Sequence, residues 1–183
     1  MTKNNIFDGY SDEELIDKYK AGDQKAFVEL YTRFKRRVFS YCLKMIGNRE
    51  TAEDLFQEIF VRVSTKRDSF ISGSFSAWLF SIARNLCLNA IRDRVEHSSI
   101  DDITEGQAGI VQAQEYDQTP ELLKEAIEKL PDDLREVLVL RVYNEFSYEE
   151  IAEMTKTKLA TVKVRIFRAK QKLHESLSPY FKD

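Results

Sequence analysis

Residues 147–173 read SYEEIAEMTKTKLATVKVRIFRAKQKL and contain two helical patterns separated by a short polar break. Ser147 and Glu150 have the spacing of a capping box, which predicts that a helix begins at this point. The segment 155–158 has no large apolar residue and interrupts the pattern. Apolar residues then recur at i, i+4, i+7 and i+11, the stripe of a second amphipathic helix: Val162, Ile166, Ala169 and Leu173.

Positive charge is concentrated on the second of these helices. Seven Lys and Arg residues lie between positions 156 and 172 without any Asp or Glu, in a chain whose formal net charge is −3. Phosphates respond to such a local field more than to the total charge. A short helix, a tight break and a basic helix form a helix-turn-helix, whose second helix enters the DNA major groove. A solvated amphipathic helix is the alternative, but the unmixed charge favours a nucleic-acid-binding element.

The composition predicts an all-α protein with no metal and no cofactor. The chain has 183 residues and 43% hydrophobic content, enough for one large or two small domains. Cys42 and Cys87 each lie in an apolar helical pattern, so we expect small buried hydrophobes rather than a disulfide or metal site. The sequence shows neither a signal pattern nor a run of membrane-spanning length, which predicts a cytoplasmic protein without membrane insertion.

Four amphipathic patterns fill the first part of the chain, and each boundary carries a helix signal. Ser11 begins a capping box with Glu14, and Gly47 fits the position just after a helix. Asn48 and Ser74 are suited to cap the third and fourth helices. We therefore expect an all-helical domain over residues 1–95.

The apolar pattern fails between residues 96 and 118. Every Asp, Glu, Lys or Arg in this stretch is acidic, and Ser, Gly and Gln fill much of the remainder, which predicts a flexible acidic linker. Thr119 and Pro120 then fit the cap and the first position of a new helix. A second helical domain is thus expected over residues 119–183, with the helix-turn-helix inside it.

The third helix has a polar face with Asp54, Gln57 and Glu58 at i, i+3 and i+4. Paired carboxylates can serve acid–base catalysis, but no histidine accompanies them here. A solvated face and a docking face for a basic partner both remain open on the local pattern. No catalytic residue is predicted.

The fourth helix also has a polar side, and a basic loop precedes it. Asn and Arg can bond base edges and phosphates, and aromatic with basic side chains suit unstacked bases. Trp78 fits the apolar stripe, so core packing is favoured over base stacking. The candidates for a single-strand path are Lys66, Arg67 and Phe70 in the loop and Arg84, Asn85, Asn89 and Arg92 on the helix.

Five ordered blocks resemble one protein family. They are DQKAFVELYTRF, ETAEDLFQEIFVRV, SFSAWLFSIARNLCLNAIR, LPDDLREVLVLRVYNEFSYEEIAEM and TVKVRIFRAK. Together they resemble the bacterial extracytoplasmic-function sigma factors, group 4 of the sigma-70 family. The resemblance covers nearly the whole chain apart from the first few residues and the linker.

The resemblance implies a role for each surface. Proteins of this family bind core RNA polymerase and direct it to promoters. Asp54, Gln57 and Glu58 would bind the clamp coiled coil of the largest polymerase subunit. The loop 66–74 and the helix with Asn85 match the reader of the −10 promoter element. The matching positions for the −35 element are Lys163, Val164, Phe167 and Arg168, with Arg165 and Lys170 near phosphates.

The chain departs from the family pattern in the turn of the helix-turn-helix. The family often has Gly there, where this chain has Lys156-Thr157-Lys158. A left-handed residue in this turn would cost a non-glycine side chain about 1 kcal/mol or more. Val164 stands where the family often has Ser, which removes a hydroxyl donor but suits a thymine methyl. The −35 preference therefore does not transfer from relatives.

The favoured interpretation is a sigma factor that catalyses no reaction itself and has no small-molecule substrate. The alternative is a stand-alone helix-turn-helix regulator, which would have no need of the polar face on the third helix. An enzyme with a DNA-binding tail would require a nucleophile–base pair, a phosphate-binding Gly loop or a metal set, and the sequence shows none. The resemblance also implies an anti-sigma factor as a partner that covers both binding surfaces.

Overall fold

The computed structural model describes residues 6–98 and 119–180, and all regular secondary structure in these ranges is helical. The predicted all-α class is confirmed. None of the helices described has the length and hydropathy that a membrane span requires. The first range holds α1 (Asp12–Lys20), α2 (Gln24–Ile46), α3 (Arg49–Thr65), a 3₁₀ turn (Arg67–Ser69) and α4 (Phe75–Ser98). The second holds α5 (Thr119–Glu128), α6 (Asp132–Leu138), a π-helical turn (Val139–Tyr143), α7 (Tyr148–Thr155), α8 (Leu159–Leu177) and a 3₁₀ turn (Ser178–Tyr180).

Side-chain caps set the boundaries of the first helices, as the sequence predicts. Ser11 Oγ accepts the Glu14 N–H at 3.1 Å, and Glu14 Oε2 accepts the Ser11 N–H at 2.7 Å. Gly47 ends α2 in the left-handed region with φ 74°. Asn48 Oδ1 then accepts the Thr51 N–H at 2.9 Å and begins α3. Because Gly47 and Asn48 are adjacent, α3 folds straight back onto α2.

Aromatic rings and small side chains fill the core of α1–α4. Tyr31 and Phe60 meet edge to face with ring centroids 4.8 Å apart, an arrangement that aromatic pairs favour. Cys42 on α2 and Cys87 on α4 are both free and fully buried. They act as small hydrophobes, which confirms the expectation from their apolar surroundings.

The second group of helices is built around α8. Ser147 Oγ accepts the Glu150 N–H at 3.1 Å and Glu150 Oε2 accepts the Ser147 N–H at 2.7 Å, so the predicted capping box begins α7. Pro131 precedes α6 and separates it from α5. One apolar cluster joins α5, α6 and α8 through Ile127, Leu130, Leu134, Leu138 and Ala169.

The π-helical turn between α6 and α7 is a feature that the sequence pattern does not indicate. Such turns widen the helix by one residue and frequently occur at functional sites. Asn144 follows the turn, is 1% exposed, and donates from Nδ2 to the Val139 carbonyl at 3.2 Å. Its own carbonyl accepts a hydrogen bond from Arg37 Nη2 of α2 at 2.6 Å. The turn therefore contacts the first group of helices.

The two helical groups share a hydrophobic core. Phe80 of α4 and Phe146, just before α7, meet edge to face at 5.1 Å. The buried Arg135 side chain donates to the carbonyls of Met45, Glu128 and Leu130 at 2.8, 2.6 and 2.9 Å. Met45 lies near the end of α2, Glu128 is the last residue of α5 and Leu130 follows it, so one guanidinium joins the ends of two helices.

The expected linker, residues 96–118, lies only partly within the described part of the chain. The helix α4 continues to Ser98, three residues past the expected domain boundary at 95. Residues 99–118, the remainder of the predicted acidic linker, lie outside the described residues. The next helix begins at Thr119, the residue expected to be its cap.

Candidate functional site

The turn of the helix-turn-helix uses a lysine in a conformation that favours glycine. Lys156 has φ 52° and ψ 41°, the left-handed region. The Thr157 N–H donates to the Ala152 carbonyl at 3.0 Å and the Lys156 N–H to the Glu153 carbonyl at 3.1 Å. These two bonds give hydrogen-bond donors to the carbonyls in the last turn of α7, as in a Schellman motif. The chain thus forms the turn without glycine, at a conformational cost of about 1–2 kcal/mol.

One side of α8 is free to enter a groove. Val162, Ile166 and Ala169 are buried against the rest of the second group. Phe167 is 68% exposed and Val164 is 48% exposed, so the open side of α8 carries apolar as well as basic side chains. The exposed side chains of the predicted −35 set form one surface on the same helix: Lys163, Val164, Phe167, Arg168 and Lys170.

Arg165 differs from the other residues of the predicted −35 set. Its Nε lies 3.2 Å from Asp133 Oδ2 of α6, and only 27% of its side chain is exposed. The ion pair holds the guanidinium of Arg165 against α6. To contact a phosphate, the guanidinium of Arg165 would therefore have to leave Asp133, or bond Asp133 and the phosphate at the same time.

The polar side of α4 is only partly available. Asn85, Asn89 and Arg92 are exposed and lie along one face of the helix. Arg84 is half-buried, and its Nε lies 2.6 Å from Glu136 Oε1 of α6. The structure therefore brings three of the four predicted helix residues together at the surface and pairs the fourth with the second helical group.

Glu136 is a buried carboxylate at the boundary between the two groups. Only 4% of its side chain is exposed, and burial raises the pKa of its carboxyl above the ordinary value of 4.5. Arg84 and Arg165 act against this rise in pKa, and Asp133 adds to it. The two arginines therefore do not fully offset the loss of hydration.

Two further titratable groups lie near Glu136. Burial raises the pKa of the Tyr41 hydroxyl well above 10. A hydrogen bond with Cys42, followed by burial, raises the pKa of the Cys87 thiol. Both groups remain neutral at physiological pH, so the arginines and Asp133 are the charged groups whose field acts on Glu136.

The loop before α4 packs against that helix, although most of its residues are polar. Phe70 is 4% exposed, with its ring 6.0 Å from that of Phe75 and 5.6 Å from that of Trp78. The prediction that Phe70 lines a single-strand path is corrected: in this structure its ring packs inward and supports the loop. Trp78 packs with it, as its apolar position indicated. Ile71, 89% exposed, is the apolar side chain that this loop presents to solvent.

Arg67 and Lys66 occupy different environments within the same loop. Arg67 lies over the Tyr19 ring at 5.0 Å and donates to the Ser64 carbonyl at 3.4 Å. Lys66 is exposed. Lys66 is therefore the basic side chain of this loop that is open to solvent, and Ile71 is its exposed apolar side chain.

Two charged side chains of the short helix α1 bind the loop before α4. The sequence pattern gives no indication of these contacts. Lys20 Nζ donates to the Phe70 carbonyl at 2.6 Å and lies 5.1 Å above the Phe70 ring. Glu13 Oε1 accepts the N–H of Phe75, the first residue of α4, at 2.9 Å. Charged partners thus fix both ends of the segment 70–75.

The polar face of α3 is open to solvent. Asp54, Gln57 and Glu58 are exposed, and Glu58 Oε1 pairs with Arg62 Nη2 at 2.6 Å. Val61 continues the same face at i+7 from Asp54 and is 60% exposed. The face therefore offers a partner an apolar side chain as well as hydrogen-bonding groups.

Comparisons with known proteins extend this picture of a two-part helical protein with a DNA-binding motif. Two family models match, Sigma-70 region 2 over residues 30–96 and Sigma-70, region 4 over residues 121–173. The ECF RNA polymerase sigma factor SigW of Bacillus subtilis (strain 168) is 34% identical over 182 residues, covering 90% of this chain and 96% of the relative. The ECF RNA polymerase sigma-E factor of Escherichia coli (strain K12) is 33% identical over 183 residues, covering 92% and 95%.

A solved structure is similar across both helical groups. The sigma factor RpoE in complex with the anti-sigma factor NepR from Bartonella quintana matches with a TM-score of 0.74 and 29% identity, covering 84% of this chain and 98% of that one. The chain belongs to the extracytoplasmic-function sigma factors of the sigma-70 family.

Proposed function

We propose that the chain is an alternative sigma factor, which binds core RNA polymerase and directs initiation from promoters with −10 and −35 elements. The observation that carries this proposal is that both sigma regions match in order, while the side chains expected to bind polymerase and, apart from Arg165, the −35 element are exposed. The family is not a class of enzymes, and we assign the chain no reaction of its own. A cytoplasmic location is part of the proposal, because the polymerase acts there.

The exposed face of α3 is assigned to polymerase docking. Asp54, Gln57 and Glu58 would supply hydrogen-bond acceptors to the clamp coiled coil of the largest subunit, and Val61 would add an apolar contact. Polar groups around an exposed apolar side chain give an interface both specificity and affinity. A stand-alone regulator has no use for such a face, so that alternative is not favoured.

The surface of α4 and the loop before it is assigned to the −10 element. Asn85, Asn89 and Arg92 would contact the non-template strand, with Lys66 attracting its phosphates. Arg67 and Phe70 would support the loop, because the structure packs them inward. Arg84 would join the DNA-binding set only after it leaves Glu136.

The exposed side of α8 is assigned to the −35 element in the major groove. Arg168 would bond base edges or phosphates, Lys163 and Lys170 would contact phosphates, and Val164 and Phe167 would provide apolar contacts such as those to thymine methyl groups. Each neutralised phosphate contributes about −0.9 to the salt slope on B-DNA, so isolated DNA binding by this one helix should be weak. Docking on polymerase would raise the effective concentration of both regions at the promoter.

The division of labour can be tested with one variant in each region. Asp54→Ala should weaken binding to core polymerase, measured by gel filtration and fluorescence anisotropy, while DNA binding by α8 stays unchanged. Arg168→Ala should lower discrimination between a selected −35 element and a scrambled one by about 1–3 kcal/mol if it makes a bidentate base contact. In vitro transcription from a random promoter library would supply the selected elements.

Matched controls come from the same helices. Glu53→Ala removes an exposed carboxylate of α3 that pairs with Arg49 outside the docking face, and Lys172→Ala removes one charge from α8 beyond the assigned residues. If Glu53→Ala weakens polymerase binding as much as Asp54→Ala, the docking face is misassigned. Failure of the unaltered protein to bind any core polymerase, together with a palindromic footprint by the protein alone, would overturn the proposal. An anti-sigma factor is a further proposed partner, since RpoE is bound to one in the similar structure.

A further inference from the structure

A small cavity lies between α2 and α5 and has a volume of about 50 Å³. Its walls are formed by Leu43 and Lys44 of α2 and by Lys124, Ile127 and Glu128 of α5. One water molecule needs about 10–15 Å³ of such space, so the cavity has room for a small organic group. None of these five side chains belongs to the surfaces assigned to polymerase or DNA.

The amine of Lys44 is held in a setting that few lysines share. Lysine side chains usually keep the ammonium group in water, whereas this side chain is half-buried. Its Nζ lies 4.0 Å from the centroid of the Tyr143 ring. Among the residues that the structure describes, this amine has neither a hydrogen-bond acceptor nor an ion-pair partner. The amine is therefore withdrawn from water without a carboxylate to hold its charge.

The surroundings of Lys44 favour the neutral, nucleophilic form of its amine. Burial is the main cause that lowers the pKa of Lys44 below its ordinary value of 10.5, and the charge of Lys124 lowers this pKa further. The carboxylate of Glu128 acts in the opposite direction. Tyr143 is neutral at physiological pH, because burial raises the pKa of its hydroxyl above 10. Desolvation and a neighbouring cation are two ways in which proteins activate a lysine as a nucleophile.

The other walls of the cavity suit an acyl donor with a negatively charged leaving group. Lys124, with 64% of its side chain exposed, offers a cation to a phosphate that approaches from solvent. Glu128 Oε1 lies 3.9 Å from Lys124 Nζ, so a carboxylate lies beside the same cavity to accept a proton. Leu43 and Ile127 provide apolar surface for a short acyl chain. The cavity thus combines a nucleophile, a cation for the leaving group and a proton acceptor.

We propose that Lys44 is a site of acylation by small acyl phosphates, in a reaction that needs no separate enzyme. The lone pair of the Lys44 amine attacks the carbonyl carbon of the donor, and the bond between this carbon and the phosphate oxygen breaks. Phosphate leaves with the bonding electrons, an amide forms at Nζ, and the surplus amine proton passes by way of Glu128 to the departing phosphate. The amide carries no charge, so the cation–π interaction with Tyr143 is lost.

The reaction is tested with acetyl phosphate and the full chain at pH 7.5. Mass spectrometry of proteolytic peptides gives the acetylation rate of each lysine. Lys44 should react at least about threefold faster than Lys25, an exposed lysine on the same helix, because a larger fraction of its amine is neutral. The rate at Lys44 should rise with pH and level off below pH 10.5. A rate at Lys44 equal to or lower than that at Lys25 would overturn the proposal.

Two variants of α5 test the contribution of the cavity. Lys124→Gln removes the cation that lowers the pKa of Lys44 and attracts phosphate, so acetylation of Lys44 should slow by about threefold or more. Lys129→Gln is the matched control, because Lys129 pairs with Glu125 outside the cavity lining. Circular dichroism establishes that both variants are folded. Equal rates at Lys44 in the two variants would show that the cavity does not activate this lysine.

A measurement in urea separates the folded structure from the local sequence. Unfolding removes both the burial of Lys44 and its proximity to Lys124, so Lys44 and Lys25 should then react at similar rates. A preference for Lys44 that persists in urea would assign the effect to neighbouring residues in the sequence and would refute the site. Acetylation requires neither polymerase nor DNA, so its outcome is independent of the proposed sigma function: either proposal can fail while the other holds.

Discussion

Lys156 allows a quantitative test of the helix-turn-helix geometry. Its left-handed conformation, φ 52° and ψ 41°, costs a non-glycine residue about 1–2 kcal/mol. Glycine avoids that cost but loses about 0.5–1 kcal/mol relative to alanine because its unfolded chain is freer. Lys156→Gly should therefore have a free energy of unfolding about 0.5–1 kcal/mol higher than that of Lys156→Ala.

The alanine variant is the proper reference, because both substitutions remove the charge near the end of α7 and its interaction with the helix dipole. For a protein of this size, 1 kcal/mol shifts Tm by about 2–4 °C, so the glycine variant should melt about 1–4 °C above the alanine variant. Circular dichroism and urea titration both measure this difference.

Lys66 supplies a second pair for comparison, since it also ends a helix but has φ −105°. There glycine should be no more stable than alanine. Equal stability of the two Lys156 variants, or the same gain at Lys66, would refute the claim that the turn is strained. Discrimination between −35 sequences should not change in Lys156→Gly, because glycine permits the conformation already present.

Further predictions concern Glu136, the loop and Arg135. Because burial raises the pKa of Glu136 above 4.5 in the folded protein, the folded state binds its proton more tightly than the unfolded state does, so the contribution of Glu136 to the free energy of unfolding should fall as pH rises through the raised pKa, and Glu136→Gln should flatten this pH dependence in urea titrations. A pH dependence unchanged by Glu136→Gln would assign the effect to other groups. Lys20→Met removes a charge-assisted hydrogen bond worth about 1.5–3 kcal/mol from the Phe70 carbonyl, so promoter opening followed by 2-aminopurine fluorescence should slow while duplex −35 binding is unaffected. Equal losses in both assays would show a global defect. Arg135→Ala leaves three carbonyls without their donor and should lower the free energy of unfolding by at least about 3 kcal/mol, measured by urea titration; a loss below about 1 kcal/mol would show that water replaces the guanidinium.

Local chemistry explains why much of the fold was predictable from the sequence. The side chains of Ser11, Asn48 and Ser147 each accept the backbone N–H of the residue three positions on, and such caps can be predicted from the residue types alone. The buried stripe of α8 has the predicted period, which leaves Arg168 and Phe167 exposed. These features depend on interactions within one helix.

The features that sequence reasoning missed depend on contacts between distant segments. Phe70 sits in a polar loop and gives no sign of its burial against Trp78. Arg84 fits the polar stripe of α4 as well as Asn85 does, and only the position of α6 shows that a carboxylate meets it. The sequence indicates that a left-handed residue in this turn would be costly without glycine. It does not indicate that Lys156 adopts that conformation, because no local pattern shows how α7 ends.

The buried pair between Arg84 and Glu136 contributes to specificity more than to stability. The raised pKa of Glu136 means that its carboxylate loses more by leaving water than it gains from the nearby arginines, so the ion pair contributes little to the free energy of packing. Most of the attraction between the two helical groups must then come from apolar contacts such as Phe80 with Phe146. A pair of this kind fixes the register of the two groups, because any other register would leave a buried charge without its partner.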